Sequence, residues 1–135
     1  MRIYSMAVAL VGAFARMLTA QSPTQPATLI APAGTWRGVS VCLVRPSACN
    51  DEVVVYRITA MKVADSLSID ARKIVRGEEQ AMGVLGCRFV PLGGRLTCTI
   101  PQGVWHFRVR NDSLTGELRL LDDTRYREVR TKRSP

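Results

Sequence analysis

Three features of the sequence predict an all-β fold: a closed or nearly closed antiparallel up-and-down β-barrel of about eight or nine strands. Short runs rich in Val, Ile, Thr and aromatic residues recur from Trp36 onward. Within them apolar and polar residues alternate, the period of a strand with one buried face. The turns between runs are short, so strands adjacent in sequence should pair. An open meander would expose two edges, and pairing the first strand with the last removes both.

The runs follow in order. Trp36–Val44 comes first and Glu52–Met61 second, with Val54, Tyr56, Ile58 and Ala60 on one face and Arg57 and Thr59 on the other. Leu67–Val75 sets Leu67, Ile69 and Ala71 against Ser68, Asp70 and Arg72. Val63, Leu67, Ala71 and Ile74 also fit a helical stripe capped by Asp65. The Ile and Val content and the hairpin turn at Arg76-Gly77 favour a strand. Gln80–Val90 is next, with Gly83 and Gly86 permitting bends or bulges. Arg95–Ile100 returns after Gly93-Gly94. Gly103–Val109 places Trp105, Phe107 and Val109 on one face; Val104, His106, Arg108 and Arg110 take the other. Asn111-Asp112 turns the chain, and the Asn111-Asp112-Ser113 triplet also matches a glycosylation acceptor. Leu114, Leu118 and Leu120 then alternate with Thr115, Glu117 and Arg119, and Asp122-Asp123 leads into Thr124–Lys132.

Ahead of the strands, residues 1–20 read as a secretory signal peptide. Arg2 supplies a basic start, Met6–Phe14 a short apolar run, and small residues offer cleavage after Ala15 or after Ala20. The run is too short for a transmembrane segment. Residues 21–33, with Pro23, Pro26 and Pro32, read as a Pro-rich flexible tether. Residues 34–133 form a single domain, large enough to build its own core. The expected location is secreted or periplasmic.

The chain has four cysteines, Cys42, Cys49, Cys87 and Cys98. An even number behind a signal peptide points to disulfides. Three pairings are possible. Each of the pairs Cys42–Cys49 and Cys87–Cys98 flanks a turn at an odd separation, as opposed residues of a hairpin do, and these are expected. The spacing suits no zinc site, and no metal or other cofactor is expected.

Gly34-Thr35-Trp36 opens the first strand directly after the tether. It resembles the G-x-W signature that opens strand A of lipocalins and their calycin relatives. The resemblance implies a tryptophan packed across one end of a barrel, with an arginine of the last strand over its indole; Arg127 and Arg130 are the matching candidates. It also implies an apolar or amphipathic small-molecule ligand, for which Tyr56, Ile58, Trp105, Phe107 and Leu118 are the inward-facing candidates. The longer string GTWRGVSVC…ACNDEVVVYRI is similar to a set of small exported bacterial proteins of unknown function.

The formal charge is +8, most of it arginine. Arg108, Arg110, Arg119 and Arg125 lie on outward positions of neighbouring strands, where guanidinium forks suit phosphate or carboxylate groups. They predict an anionic surface or a protein partner, such as an exported hydrolase, for the outer wall. Aromatics do not interleave with them, which argues against specific nucleic-acid binding. Catalysis is not expected. His106 is the single histidine, and neither G-x-S-x-G nor H-E-x-x-H accompanies it. The acidic pairs Asp51-Glu52, Glu78-Glu79 and Asp122-Asp123 sit at turns, without the spacing of a calcium loop or a glycosidase couple.

Overall fold

A computed structural model describes residues 32–135. Eight strands follow one another: β1 (Gly34–Cys42), β2 (Glu52–Ala60), β3 (Ser66–Val75), β4 (Glu78–Val90), β5 (Arg95–Ile100), β6 (Gly103–Arg110), β7 (Ser113–Leu120) and β8 (Arg125–Ser134). Each pairs antiparallel with its neighbour in sequence, and β1 pairs with β8 to close the barrel. The helical alternative for 63–74 is overturned. Leu67, Ile69 and Ala71 are buried while Ser68 and Asp70 between them are not, and this inward alternation wins over the i, i+4 pattern. The β3–β4 turn is Arg76-Gly77, with φ of 52° and 83°. Positive φ at both central residues matches the right-handed twist of the flanking strands.

Up-and-down connectivity sorts the connections onto two ends. One end carries the entering chain and loops 61–65, 91–94 and 111–112. The other carries loops 43–51, 76–77, 101–102 and 121–124.

The first end is plugged by Trp36, whose exposure is 0%. Its Nε1 donates to the Pro32 carbonyl at 2.9 Å, and the Arg133 guanidinium lies 4.3 Å above the ring centroid. The arginine over the indole is therefore Arg133, and not Arg127 or Arg130. The seam register explains why: Trp36 sits opposite Arg133, while Val39 faces Arg130 and Cys42 faces Arg127. β8 runs two residues past Lys132, to Ser134. Close approach across the seam requires Gly38, because a Cβ there would collide with the Arg130 carbonyl.

The interior is largely filled by its own side chains. Tyr56 meets Phe107 edge-on with centroids 5.9 Å apart, and Trp105 stacks on Phe107 at 5.2 Å. Phe107 in turn lies over Gly116, where a side chain would strike its ring.

Both expected disulfides are present, Cys42–Cys49 and Cys87–Cys98. Cys87 and Cys98 are opposed in the β4–β5 ladder, which contains only four residue pairs, from Cys87↔Cys98 to Val90↔Arg95. This seam has the shortest ladder in the barrel, so its cross-link matters most. Replacing Cys87 and Cys98 by serine should cost about 3 kcal/mol on the chain-entropy estimate. Replacing the Cys42–Cys49 pair, of which Cys42 is buried and Cys49 partly exposed, should cost less, because it closes a shorter loop. Thermal denaturation of the two double variants checks the order, and equal melting temperatures would contradict it.

Candidate functional site

The second end of the barrel gathers charged side chains of both signs at inward strand positions. Inward positions of β1, β2, β3 and β8 bring Ser40, Glu52, Lys73 and Arg127 together there. Arg127 Nη1 donates to Ser40 Oγ at 2.7 Å and lies 3.4 Å from Glu52 Oε2. Its Nη2 donates to the Asn50 carbonyl at 2.6 Å and lies 3.2 Å from Cys49 Sγ. The Arg127 side chain is only 13% exposed. Lys73 Nζ reaches Glu52 Oε1 at 3.3 Å. Two cations thus share one carboxylate. Below them, burial raises the Tyr56 hydroxyl far above the usual phenol range; Arg127 opposes that shift and Glu52 adds to it.

Loop 43–51 closes one side of this mouth. The Cys42–Cys49 disulfide ties its base. Asp51 Oδ1 accepts from the Cys42 amide at 2.8 Å and from Arg45 at 2.6 Å. The amide bond, followed by the Arg45 charge, holds the Asp51 carboxyl below its ordinary value.

The other side of the mouth is apolar. Ile100, Pro101, Leu118, Leu120, Leu121 and Tyr126 line an open depression of about 800 Å³, with Gln102 and Asp122 at its rim. Leu118 sits directly opposite Arg127 in the β7–β8 ladder, so the depression adjoins the charged cluster. A smaller recess of about 170 Å³ is lined by Tyr56, Ala71, Met82, Gly83, Leu85 and Trp105.

The five inward-facing ligand candidates divide accordingly. Leu118 lines the depression, and Tyr56 and Trp105 line the recess. Ile58 and the Phe107 ring are spent on core packing, each 2% exposed. Glu52, Lys73, Ser40 and Arg127 were missed as a group. Their signal was a polar residue at an inward position of an otherwise apolar strand face, as with Lys73 following Leu67, Ile69 and Ala71.

On the outer wall the predicted arginine patch is partly neutralised. Arg119 Nε and Arg125 Nε lie 2.5 Å and 2.6 Å from the Glu117 carboxylate. These two bonds, Arg125 first, hold Glu117 below the usual carboxylate range. Bonding to Arg57 does the same for Glu79. Such groups stabilise the fold above their unfolded pKa, and the contribution is lost as pH falls through the folded value. Carboxyl NMR titrations should show Glu79 and Glu117 protonating at lower pH than a glutamate in an unstructured peptide. Coincident titration would show that the pairs do not persist in solution.

Arg108 and Arg110 form no ion pair among the described residues. Arg108 stands directly opposite Arg95. Arg95, Arg108 and Arg125 flank an outer groove of about 380 Å³ with His106, Thr97, Thr115, Glu117 and Glu128. Ser113 and Asp112 lie near the far end of the β6–β7 ladder; Ser113 faces Arg110 and His106 faces Glu117. The four-residue offset is about 13 Å at strand rise, which brings no triad together. No group of three or more His, Cys, Asp or Glu that could hold a metal ion occurs among the described residues. No helix there is long and apolar enough to cross a membrane.

The fold and this end of it define a small disulfide-linked antiparallel barrel with an apolar and charged mouth, compatible with a calycin-like architecture. No protein-family model, no curated protein and no solved structure matches the chain.

Proposed function

We propose that the protein is an exported, lipocalin-like, non-catalytic binding protein that takes an amphipathic small molecule at the open end of its barrel. The observation that carries this reading is the apolar depression of about 800 Å³ adjoining the Arg127–Glu52–Lys73 cluster. Such a volume suits a small-molecule ligand. An apolar body would cover Leu118, Leu120 and Tyr126. An acceptor-bearing head would face Lys73, which has used one of its three donors on Glu52. The two disulfides are consistent with an oxidising compartment, and the signal-like residues 1–20, which lie outside the described residues, support export.

Native mass spectrometry of the protein purified from its own host tests the reading. A co-purifying small molecule, lost from Leu120→Gln at unchanged melting temperature, supports it. Bare protein, together with no saturable change in tryptophan emission on titration with straight-chain carboxylates or alcohols, overturns it.

A second reading concerns the outer wall. Like charges directly opposite each other in a ladder destabilise, yet Arg95 and Arg108 are placed so, with no carboxylate bonded to either among the described residues. We infer that an anionic surface or protein partner can occupy this groove. Retention on a polyphosphate matrix should fall steeply with salt and be weakened by Arg108→Ser. Salt-insensitive retention argues against it.

A further inference from the structure

The barrel is closed unevenly, and the unevenness leaves a strand edge bare. β4 has thirteen residues and β5 six. Only Cys87–Val90 of β4 pairs with β5. The stretch Glu78–Gly86 therefore pairs with β3 alone, and its other edge presents backbone N–H and C=O groups with no neighbouring strand. Proteins ordinarily guard such an edge with charge, proline, a bulge or a cover, and within 80–86 this one has a one-residue bulge at Met82, where Ala71 faces Gly83 and Arg72 faces Ala81. Here the middle of the edge, Gln80-Ala81-Met82-Gly83-Val84-Leu85-Gly86, contains no charged residue and no proline. All seven residues are exposed except Leu85, which is half-buried. Val84 is 69% exposed and Met82 41%.

We propose that this edge is a docking site for the same edge of a second copy of the chain, forming an antiparallel, two-fold symmetric β-ladder. Self-complementarity identifies the occupant. Antiparallel pairing centred on Gly83 sets Met82 against Val84 and Ala81 against Leu85, apolar on apolar, and the uncharged Gln80 against Gly86, with no buried charge. The same register points Glu78 of one copy toward Arg88 of the other. Neither residue forms an ion pair within the chain among the described residues, so the flanks attract. A contact in which the same patch serves both copies closes on itself and ends at a dimer. Inward side chains of the added strand would face the recess lined by Met82, Gly83, Leu85 and Trp105. This pairing does not depend on the mouth's ligand. An edge contact buries less than a standard interface, so association in the micromolar range is expected.

The test is sedimentation equilibrium of the full chain from low micromolar to millimolar concentration. Two variants put a charge on the edge: Val84→Lys, and Gly86→Lys, where a side chain meets nothing within 4 Å. Val39→Lys, at an exposed apolar site on β1 (45% exposed), controls for unspecific stickiness. The expected result is a monomer–dimer equilibrium whose dissociation constant rises by about tenfold or more in both edge variants and is unmoved in Val39→Lys. Amide exchange at 80–86 should slow as the dimer forms. A chain that stays monomeric throughout overturns the proposal, even if an added extended peptide binds the edge. So does a dimer that Val39→Lys dissolves and the edge variants do not.

Discussion

Replacing Trp36 by alanine is expected to destabilise the barrel by about 3–5 kcal/mol. That is a large share of the roughly 5–15 kcal/mol that holds a domain folded. The indole is fully buried and serves three partners at once. Its rings fill the closed end, its N–H satisfies the Pro32 carbonyl, and its face carries the Arg133 guanidinium. Removing it empties the junction of β1 with β8, the seam that turns a meander into a barrel. Trp36→Phe keeps most of the packing and loses the N–H bond, so it should cost about 1–2 kcal/mol plus a small cavity. Arg133→Ala tests the cation above the ring, at about 0.5–2 kcal/mol. It also removes Arg133's 2.8 Å bond to the Ala33 carbonyl. Urea midpoints rank the three variants. A Trp36→Ala midpoint equal to wild type would mean that the seam does not need its plug.

The second large effect is expected from Arg127→Leu, a loss of about 3 kcal/mol. Leucine can fill part of the space, but the Ser40 hydroxyl, the Asn50 carbonyl and one oxygen of Glu52 lose their donor together. Glu52 keeps Lys73, so its charge is not abandoned and the cost stays at the lower end of the range for broken buried pairs. Loop 43–51 loses a tie to the barrel wall, and its amides should exchange faster while those of β5 and β6 do not. Arg127→Lys retains the charge but not the planar fork that reaches Ser40 and Asn50 simultaneously, and should fall between. Unaltered stability and unaltered loop exchange in Arg127→Leu would show that the cluster decorates the mouth without organising it.

Much of the barrel was legible because a strand writes its environment into consecutive residues. The run Val54, Tyr56, Ile58 announces its buried face without knowledge of any partner. Arg76-Gly77 announces a turn through backbone sterics. The cysteines flank hairpin turns and pair across them, so each disulfide depends only on local chain. The lining of the depression and the recess was legible in the same sense: Leu118 stands between Glu117 and Arg119, and Tyr56 and Trp105 recur at period two along their strands. What alternation does not say is how far along the strand each lies. Ile58 and Phe107 share a face with Tyr56 and Trp105, yet Ile58 falls toward the closed end, opposite Gly34, and Phe107 in the packed middle.

The arginines mark the limit most clearly. Choosing among Arg127, Arg130 and Arg133 as the partner of Trp36 requires the register of β1 against β8. Those strands are some ninety residues apart, and a shift of three residues exchanges the closed end for the middle of the wall. Arg119 and Arg125 look like free outward cations until β7 and β8 pair and set Glu117 between them.

Local pattern alone was sufficient for the all-β class, the strand order, both disulfides and the inward faces, because each follows from residues near one another in the chain. Tertiary closure decided which cation covers the indole, which charges meet at the mouth and which stretch of β4 is left without a neighbour. Those outcomes depend on strand length and stagger summed around the whole cylinder, a quantity that no single segment carries.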